Sequence, residues 1–391
     1  DLEGLAHDVA SQEEGLTAQG AFFAQREAKT MCAAVGATFQ TIDTESLDSE
    51  GGRLEAQELT LLSIGTEIKK IWDRIVAFVK KYVDKVKKFM IEKFSSAARL
   101  EKAWDALAKK AKDTKGSMDK NDVEMSASKF RKLVTKDSDT SLKDAAKDAD
   151  DGVVVLKEFA SKGAGNDIAQ AVADTQSLVA AITKAAGKDD AIAKALEDHK
   201  ADKIDNGDED SDLGIERSGV AGDDKTLVRF MEMSNEVPGI GKMFAKFTYK
   251  SVKQGQNEHS FYYLSTVEVV VKLVDESELD KEYTVALWSA SQVEEIAKAN
   301  AKLCAEIVKF KTNFDKADKD SEKLQKEISK LVKELDDVET STYSSVIRSV
   351  INSSSTIVTG MYESFRKMTD ITTGQSKAHY GHAKASLANI K

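Results

Sequence analysis

Residues 291–338 read SQVEEIAKANAKLCAEIVKFKTNFDKADKDSEKLQKEISKLVKELDDV. Val293, Ile296, Asn300, Leu303, Ile307, Phe310, Phe314, Ala317, Ser321, Leu324, Ile328, Leu331, Leu335 and Val338 follow one another at alternating steps of three and four. That spacing puts them on one stripe of a helix, the seam of a coiled coil. At 1.5 Å per residue the helix is roughly 70 Å long. Ser291 and Glu294, three residues apart, read as the capping box that opens it. Asn300 and Ser321 are polar seam positions of the kind that set register at some cost in stability. Cys304, beside Leu303, reads as a small buried apolar residue.

A second helix is predicted over about 342–369, with Tyr343, Val346, Ile347, Val350, Ile357, Met361, Phe365 and Met368 on one face. A turn around 336–341 folds it back antiparallel, giving a helical hairpin over 291–370. Residues 371–391 read as a polar tail. His379-Tyr380-Gly381-His382 then sits in flexible chain rather than in a metal site, since no cysteine neighbours it.

Upstream, residues 61–112 carry Ile64, Ile68, Ile71, Trp72, Ile75, Phe78, Val79, Tyr82, Val83, Val86, Phe89, Met90 and Phe94 at helical spacing. The opposite face carries Lys69, Lys70, Arg74, Lys80, Lys81, Lys85, Lys87, Lys88 and Lys93. This is a basic amphipathic helix, with a kink or break expected at Ser95-Ser96. Three readings stay open for its lysines: a solvated face of a bundle helix, a contact for nucleic acid or an acidic partner, or a membrane-surface helix.

The rest divides as follows. Residues 1–60, thin in apolar side chains, are expected as an N-terminal arm. Residues 61–200 form a helical domain punctuated by Gly152, Gly163, Gly165 and Gly187 as helix ends. An acidic stretch, including Asp202, Asp205, Asp208, Glu209, Asp210 and Asp212, reads as a linker over 201–226. Residues 227–290 are the β region. There Phe244–Ser251 alternate, a turn falls at 254–257, Phe261–Val274 are β-branched and aromatic, and Tyr283–Trp288 supply a third strand of an antiparallel meander.

Composition narrows the function classes. One proline in 391 residues suits long helices, because an interior proline costs a helix about 3 kcal/mol. Aromatics at 7% argue against a large β-sandwich. The net charge of −10 excludes a general nucleic-acid condenser. Two cysteines, Cys32 and Cys304, far apart in sequence, are no disulfide framework, which suggests synthesis in a reducing compartment. The EF-hand pattern fails at Asp202–Leu213 and again at Asp137–Leu142. Gly239-Ile240-Gly241 lacks the third glycine of a dinucleotide loop. No phosphate-loop, nucleophile-elbow or HExxH motif occurs, so no enzyme, cofactor, metal or small-molecule substrate is expected. The first residues, Asp1-Leu2-Glu3-Gly4, carry neither Met nor a signal-peptide pattern, which suggests trimming or cleavage from a precursor.

The segment Ile71-Trp72-Asp73-Arg74-Ile75-Val76-Ala77-Phe78-Val79-Lys80-Lys81-Tyr82-Val83-Asp84-Lys85-Val86-Lys87-Lys88-Phe89, the Asp1 start and the later Lys/Glu-rich hairpin together resemble the internal head proteins of phiKZ-like jumbo phages. The likeness covers about a third of the chain. It implies synthesis with a propeptide and cleavage after small-x-Glu, which would make Asp1 a maturation end. It also implies packaging inside the capsid beside DNA, and some members of that family leave the head with the genome. Ser11-Gln12-Glu13, Ala56-Gln57-Glu58 and Gly214-Ile215-Glu216 are further tripeptides of the cleavage type within the chain.

The expectation is a mostly α protein with a small antiparallel β insert and a C-terminal antiparallel coiled-coil hairpin. Its expected function is that of a non-enzymatic virion protein, synthesised in the bacterial cytoplasm. It would contact capsid, sister subunits or packaged DNA without reading sequence. The alternatives are a secreted helical toxin or effector acting at membranes, and a generic coiled-coil scaffold.

Overall fold

The computed structural model describes Leu5, Val9 and residues 18–34, 50–130, 132–133, 141–161, 164–185, 188–199, 226–232, 243–253, 260–271, 282–333 and 344–391. Its elements are α1 (Ala18–Ala34), α2 (Glu50–Asp113), β1 (Asp122–Ser126), α3 (Ala127–Phe130), α4 (Ala145–Ser161), α5 (Ala164–Lys184) and α6 (Asp189–Asp198). They continue as β2 (Thr226–Glu232), β3 (Met243–Lys253), β4 (Ser260–Val271), β5 (Glu282–Ala286), α7 (Ala290–Lys333) and α8 (Ser344–Ala388). The expected class, mostly α with a small antiparallel insert, is what the structure shows. Asp1, the acidic stretch up to residue 225, the loop at Pro238, the turn at 254–257 and the hairpin turn with Leu335 and Val338 lie outside the described residues.

Packing divides the chain into two compact units, each made of three separate stretches. One is Asp1–Lys81, Gln176–Lys200 and Gln325–Ser355. Within it Val9, Ala21 and Ala24 pack together with Leu5 against them. Ala28 and Cys32 extend the same small-residue face of α1, and Gln25 donates from Nε2 to Thr60 Oγ1 of α2 at 3.4 Å. Ile182, Ile192, Ile328, Leu331, Ile347 and Ile351 are all buried in this unit.

The other unit is Tyr82–Thr175, Ala201–Leu324 and Thr356–Lys391. Here α7 and α8 run antiparallel. Asn300 meets His379, Cys304 meets Ser376, Phe310 meets Phe365 and Phe314 meets Tyr362, so the partner number falls as the α7 number rises. The seam of α7 is not matched to one helix alone. Phe314 also meets Phe94 of α2, and Phe159 of α4 packs edge-on against both Phe310 and Phe365. These rings sit 5.1–6.1 Å apart in tilted or T-shaped pairs, the geometries aromatic quadrupoles favour. The seam therefore works as the centre of a bundle.

Several expectations need correction. Residues 371–388 are not a tail but the last turns of α8, with His379, His382, Ser376 and Ser386 buried. Ser95-Ser96 causes no break: α2 runs through it, with Ser95 on the solvent side. Gly152 lies inside α4 rather than at its end, whereas Gly165 falls in the first turn of α5. At Gly152 the missing side chain admits Leu303 and Gln375. The capping box falls two residues earlier than expected. Ser289 N–H donates to Gln292 Oε1 at 2.9 Å, and the Gln292 N–H returns to Ser289 Oγ at 3.3 Å. Glu294 instead pairs with Lys298 one turn on, at 2.6 Å.

The β region splits in two. β2, β3 and β4 form the meander, with Thr226 opposite Lys250 and Phe247 opposite Val267. A register shift falls between Thr248 and Tyr249, where Ser265 Oγ donates to Thr248 O. β5, expected as the meander's third strand, pairs instead with β1, Val285 lying opposite Val123. This two-stranded sheet closes a core of Trp104, Leu107, Phe130, Leu133, Tyr283, Val285, Trp288, Val293 and Leu387. The meander meets α8 at Gly360, where a Cβ would overlap the Val267 carbonyl oxygen. Glycine there lets strand backbone lie directly on a helix.

Candidate functional site

The α2 lysines part into two groups once neighbours are in place. Lys80, Lys81, Lys85 and Lys88 are exposed and form no ion pair among the described residues. Phe78 lies on the same outer side, 68% exposed. Lys70 and Arg74 are exposed, each engaged with another group, and the side chain of Lys69 lies outside the described residues.

Lys87 and Lys93 face inward. Lys87 Nζ lies 2.7 Å from both Asp318 Oδ1 and Glu322 Oε1 of α7. Burial alone would lower the Lys87 pKa, but the two carboxylates outweigh it and the net shift is upward. Lys93 pairs with Asp370 of α8 and stands 4.8 Å from the Phe89 ring centroid. The same interface holds Tyr82, whose hydroxyl donates to Glu363 Oε2 at 2.5 Å. Glu363 is clamped by Arg366 one turn on, which holds its carboxyl below the usual range despite partial burial. Arg366 itself lies over Phe89. The signal for this division was in the spacing. Lys87 lies four residues from buried Val83 and three from buried Met90, so it flanks the apolar stripe.

Seam residues Leu303, Ile307, Phe310, Phe314, Leu324, Ile328 and Leu331 are buried, as are Asn300 and Ser321. Asn300 Nδ2 donates to Ile296 O at 3.0 Å and to His379 Nδ1 at 3.2 Å. His379 Nε2 then donates to Leu133 O, which fixes the neutral tautomer. Its neighbour His382 donates to Ala286 O of β5 at 2.9 Å, with Trp288 edge-on at 4.4 Å. Trp288 Nε1 donates to Leu142 O, and Trp104 Nε1 donates to Ser376 Oγ at 2.9 Å. Cys304, 3.3 Å from Ser376 Oγ, has its thiol pushed up to about 11 by burial. It is an inert packing residue rather than a nucleophile. Sequence reading put Asn300 on the seam and Cys304 in the core but missed the histidines, Ser376 and the two tryptophans they bond.

The cluster gives a pH prediction. Burial lowers the His379 pKa to about 4; the Leu133 bond opposes this and His382 adds to it. An unfolded histidine titrates near 6.5. Above that pH both states are neutral and stability is flat. Between about 6.5 and 4 the unfolded chain takes a proton the fold refuses, so stability falls as pH falls, by up to about 3 kcal/mol. Thermal melts at several pH values, compared with those of His379→Gln, should show a shallower acid decline in the variant.

No group of three or more His, Cys, Asp or Glu placed to hold a metal occurs among the described residues. None of the described helices is long and apolar enough to cross a membrane. The membrane-inserting alternative therefore lacks a spanning element among them.

Long helices joined by aromatic layers, with lysines on an outer face, define a structural or binding module. A family model for phiKZ-like phage internal head proteins matches residues 1–374, and the chain belongs to that family. Membership places it inside the phage head as a virion component associated with other parts of the head, in a structural rather than catalytic role. No curated protein and no solved structure matches the chain.

Proposed function

We propose that inside the head this protein lies against packaged DNA through the outer face of α2, touching phosphates without reading bases. The observation that carries this is the set Lys80, Lys81, Lys85 and Lys88, exposed within three turns and unpaired among the described residues, on a chain of net charge −10. Lysines left without counterions among the described residues of an acidic protein form a local site for a polyanion. Phosphate contacts of this type position a protein on DNA and carry no sequence information. The α7–α8 pair and the β2–β4 meander supply the docking faces for capsid protein or sister copies.

The full-length chain should bind duplex DNA at about 50 mM salt and release it steeply as salt rises toward 200 mM. Replacing Lys80, Lys81, Lys85 and Lys88 with Glu should abolish that binding while leaving the circular-dichroism melt unchanged. Undiminished binding by the folded variant would remove α2 as the contact. Absence of binding by the parent chain at low salt would remove DNA as the partner.

A further inference from the structure

We propose that the contact does not stop at Lys88: the outer row of α2 runs on through Arg99, Lys102, Lys109 and Lys110 and takes duplex DNA lengthwise over one full helical turn. This rests on the DNA-contact reading above and gives it a footprint and a direction.

Along the second half of α2 the water-facing positions keep a rhythm of three and four. Lys85, Lys88, Glu92, Ser95, Arg99, Lys102, Ala106 and Lys109, with Lys110 beside the last, are all exposed. At 3.6 residues per turn they form one straight row. Val83, Val86, Met90, Phe94, Trp104 and Leu107, all buried, occupy the other side. Six of the nine row positions are cations and one, Glu92, is an anion. Asp84 and Asp105 are exposed on the flank, about 100° round the helix from the row, and Asp113 closes the helix beyond it.

Among the described residues none of the six cations forms an ion pair, unlike the inward Lys87 and Lys93 of the same helix. Lys85 and Lys109 are 24 residues apart. At 1.5 Å per residue that is about 36 Å, and one turn of B-form DNA is about 34–36 Å. A straight helix laid along the duplex axis therefore meets one phosphate backbone at Lys85 and Lys88, and the same backbone a turn later at Lys109 and Lys110. Glu92 and Ser95 fall between the two passes, opposite a groove, where phosphates stand back. A flexible basic arm would follow any polyanion. A rigid rod with poles at this spacing favours a duplex long enough to reach both.

The test uses the full chain and fluorescence anisotropy between about 50 and 200 mM salt, with duplexes of about 20 and about 8 base pairs. The far-pole variant carries Arg99→Gln, Lys102→Gln, Lys109→Gln and Lys110→Gln. Each phosphate contact adds about 0.9 to the salt slope, so on the long duplex this variant should lose about 3–4 from its slope and bind at least about tenfold more weakly. The short duplex, about 27 Å long at 3.4 Å per base pair, cannot reach both poles; there parent and variant should agree in slope to within about 1. The control carries Lys298→Gln, Lys309→Gln, Lys311→Gln and Lys323→Gln, the same charge change on α7 lysines that each already pair with a carboxylate of α7. It should keep the parent slope to within about 1. Unchanged circular-dichroism spectra show that both variants are folded.

A far-pole variant that binds the long duplex as the parent does would overturn the proposal, ending the contact at Lys88 and leaving the DNA reading intact. An equal loss in the α7 control would overturn it too, because net charge and not the row would set the slope. A far-pole loss as large on the short duplex as on the long one would remove the one-turn match. If the parent is silent at about 50 mM salt, the DNA reading fails and the proposal falls with it.

Discussion

Replacing Gly360 with Ala should destabilise the fold, while the same change at Gly374 or Gly381 should stabilise it. All three glycines lie inside α8. Helix propensity alone favours alanine by about 0.8–1.0 kcal/mol at each. Nothing stands within 4 Å of a Cβ built on Gly374 or Gly381. On Gly360 the new methyl would overlap the carbonyl oxygen of Val267. That atom is backbone, bound into a strand whose register against β3 is set on both sides of it, so it cannot swing away as a side chain tip would. Overpacking of this kind costs about 1–3 kcal/mol, enough to reverse the propensity gain. Gly360→Val, larger and β-branched, should lose more. Urea midpoints for the Ala variants decide it: a rise at all three positions would mean that the meander does not rest on α8.

The largest loss is expected at Trp288. Its side chain is fully buried, edge-on to His382 and His379, and its indole N–H donates to Leu142 O. Leu142 holds a left-handed backbone, φ 48°, unusual for a branched apolar residue. The indole bond and burial of the leucine side chain hold it there. Trp288→Ala leaves a large cavity, orphans that carbonyl and releases the strained turn, for a loss of about 3–5 kcal/mol. Trp288→Phe keeps a ring against His382 but loses the donor, so a loss nearer 1–3 kcal/mol is expected. Chemical denaturation read by far-ultraviolet circular dichroism separates the two. Equal losses would show that the Leu142 bond contributes nothing.

What could be read in advance, and what could not, follows from how burial is written in side chains. The α7 seam was legible because its buried positions are Leu, Ile and Phe at fixed spacing. The end of α8 keeps the same rhythm in Thr372, Ser376, His379, Ala383 and Ser386, all buried. Hydropathy reads that run as a tail. In the helix these hydroxyls fold back on their own backbone: Thr372 donates to Met368 O and Ser386 to His382 O. Once satisfied locally, they pack as small residues. Strand β1 escaped notice because its five residues are half polar and its partner β5 begins at Glu282. Both Ser289–Gln292 and Ser291–Glu294 fit the capping pattern, and only the arrival of β5 selects the first.

The lysine face was half legible. Periodicity assigned the outward set correctly as a face, since it needs no knowledge of partners. Lys87 and Lys93 were grouped with it because their carboxylates stand 235 and 277 residues away in sequence. Only tertiary structure brings such charges together.

The interleaving of the two units has a consequence for synthesis. Each unit needs a stretch from the last quarter of the chain, 325–355 for one and 356–391 for the other. Ribosomes deliver about 5–20 residues per second, so α2 emerges whole and then waits tens of seconds for the α8 residues that cover its apolar stripe. During that interval Val83, Val86, Met90 and Phe94 have no complete partner. The nascent chain should therefore engage host holdases, and shortened chains ending before residue 356 should be recovered as aggregates rather than as a folded half.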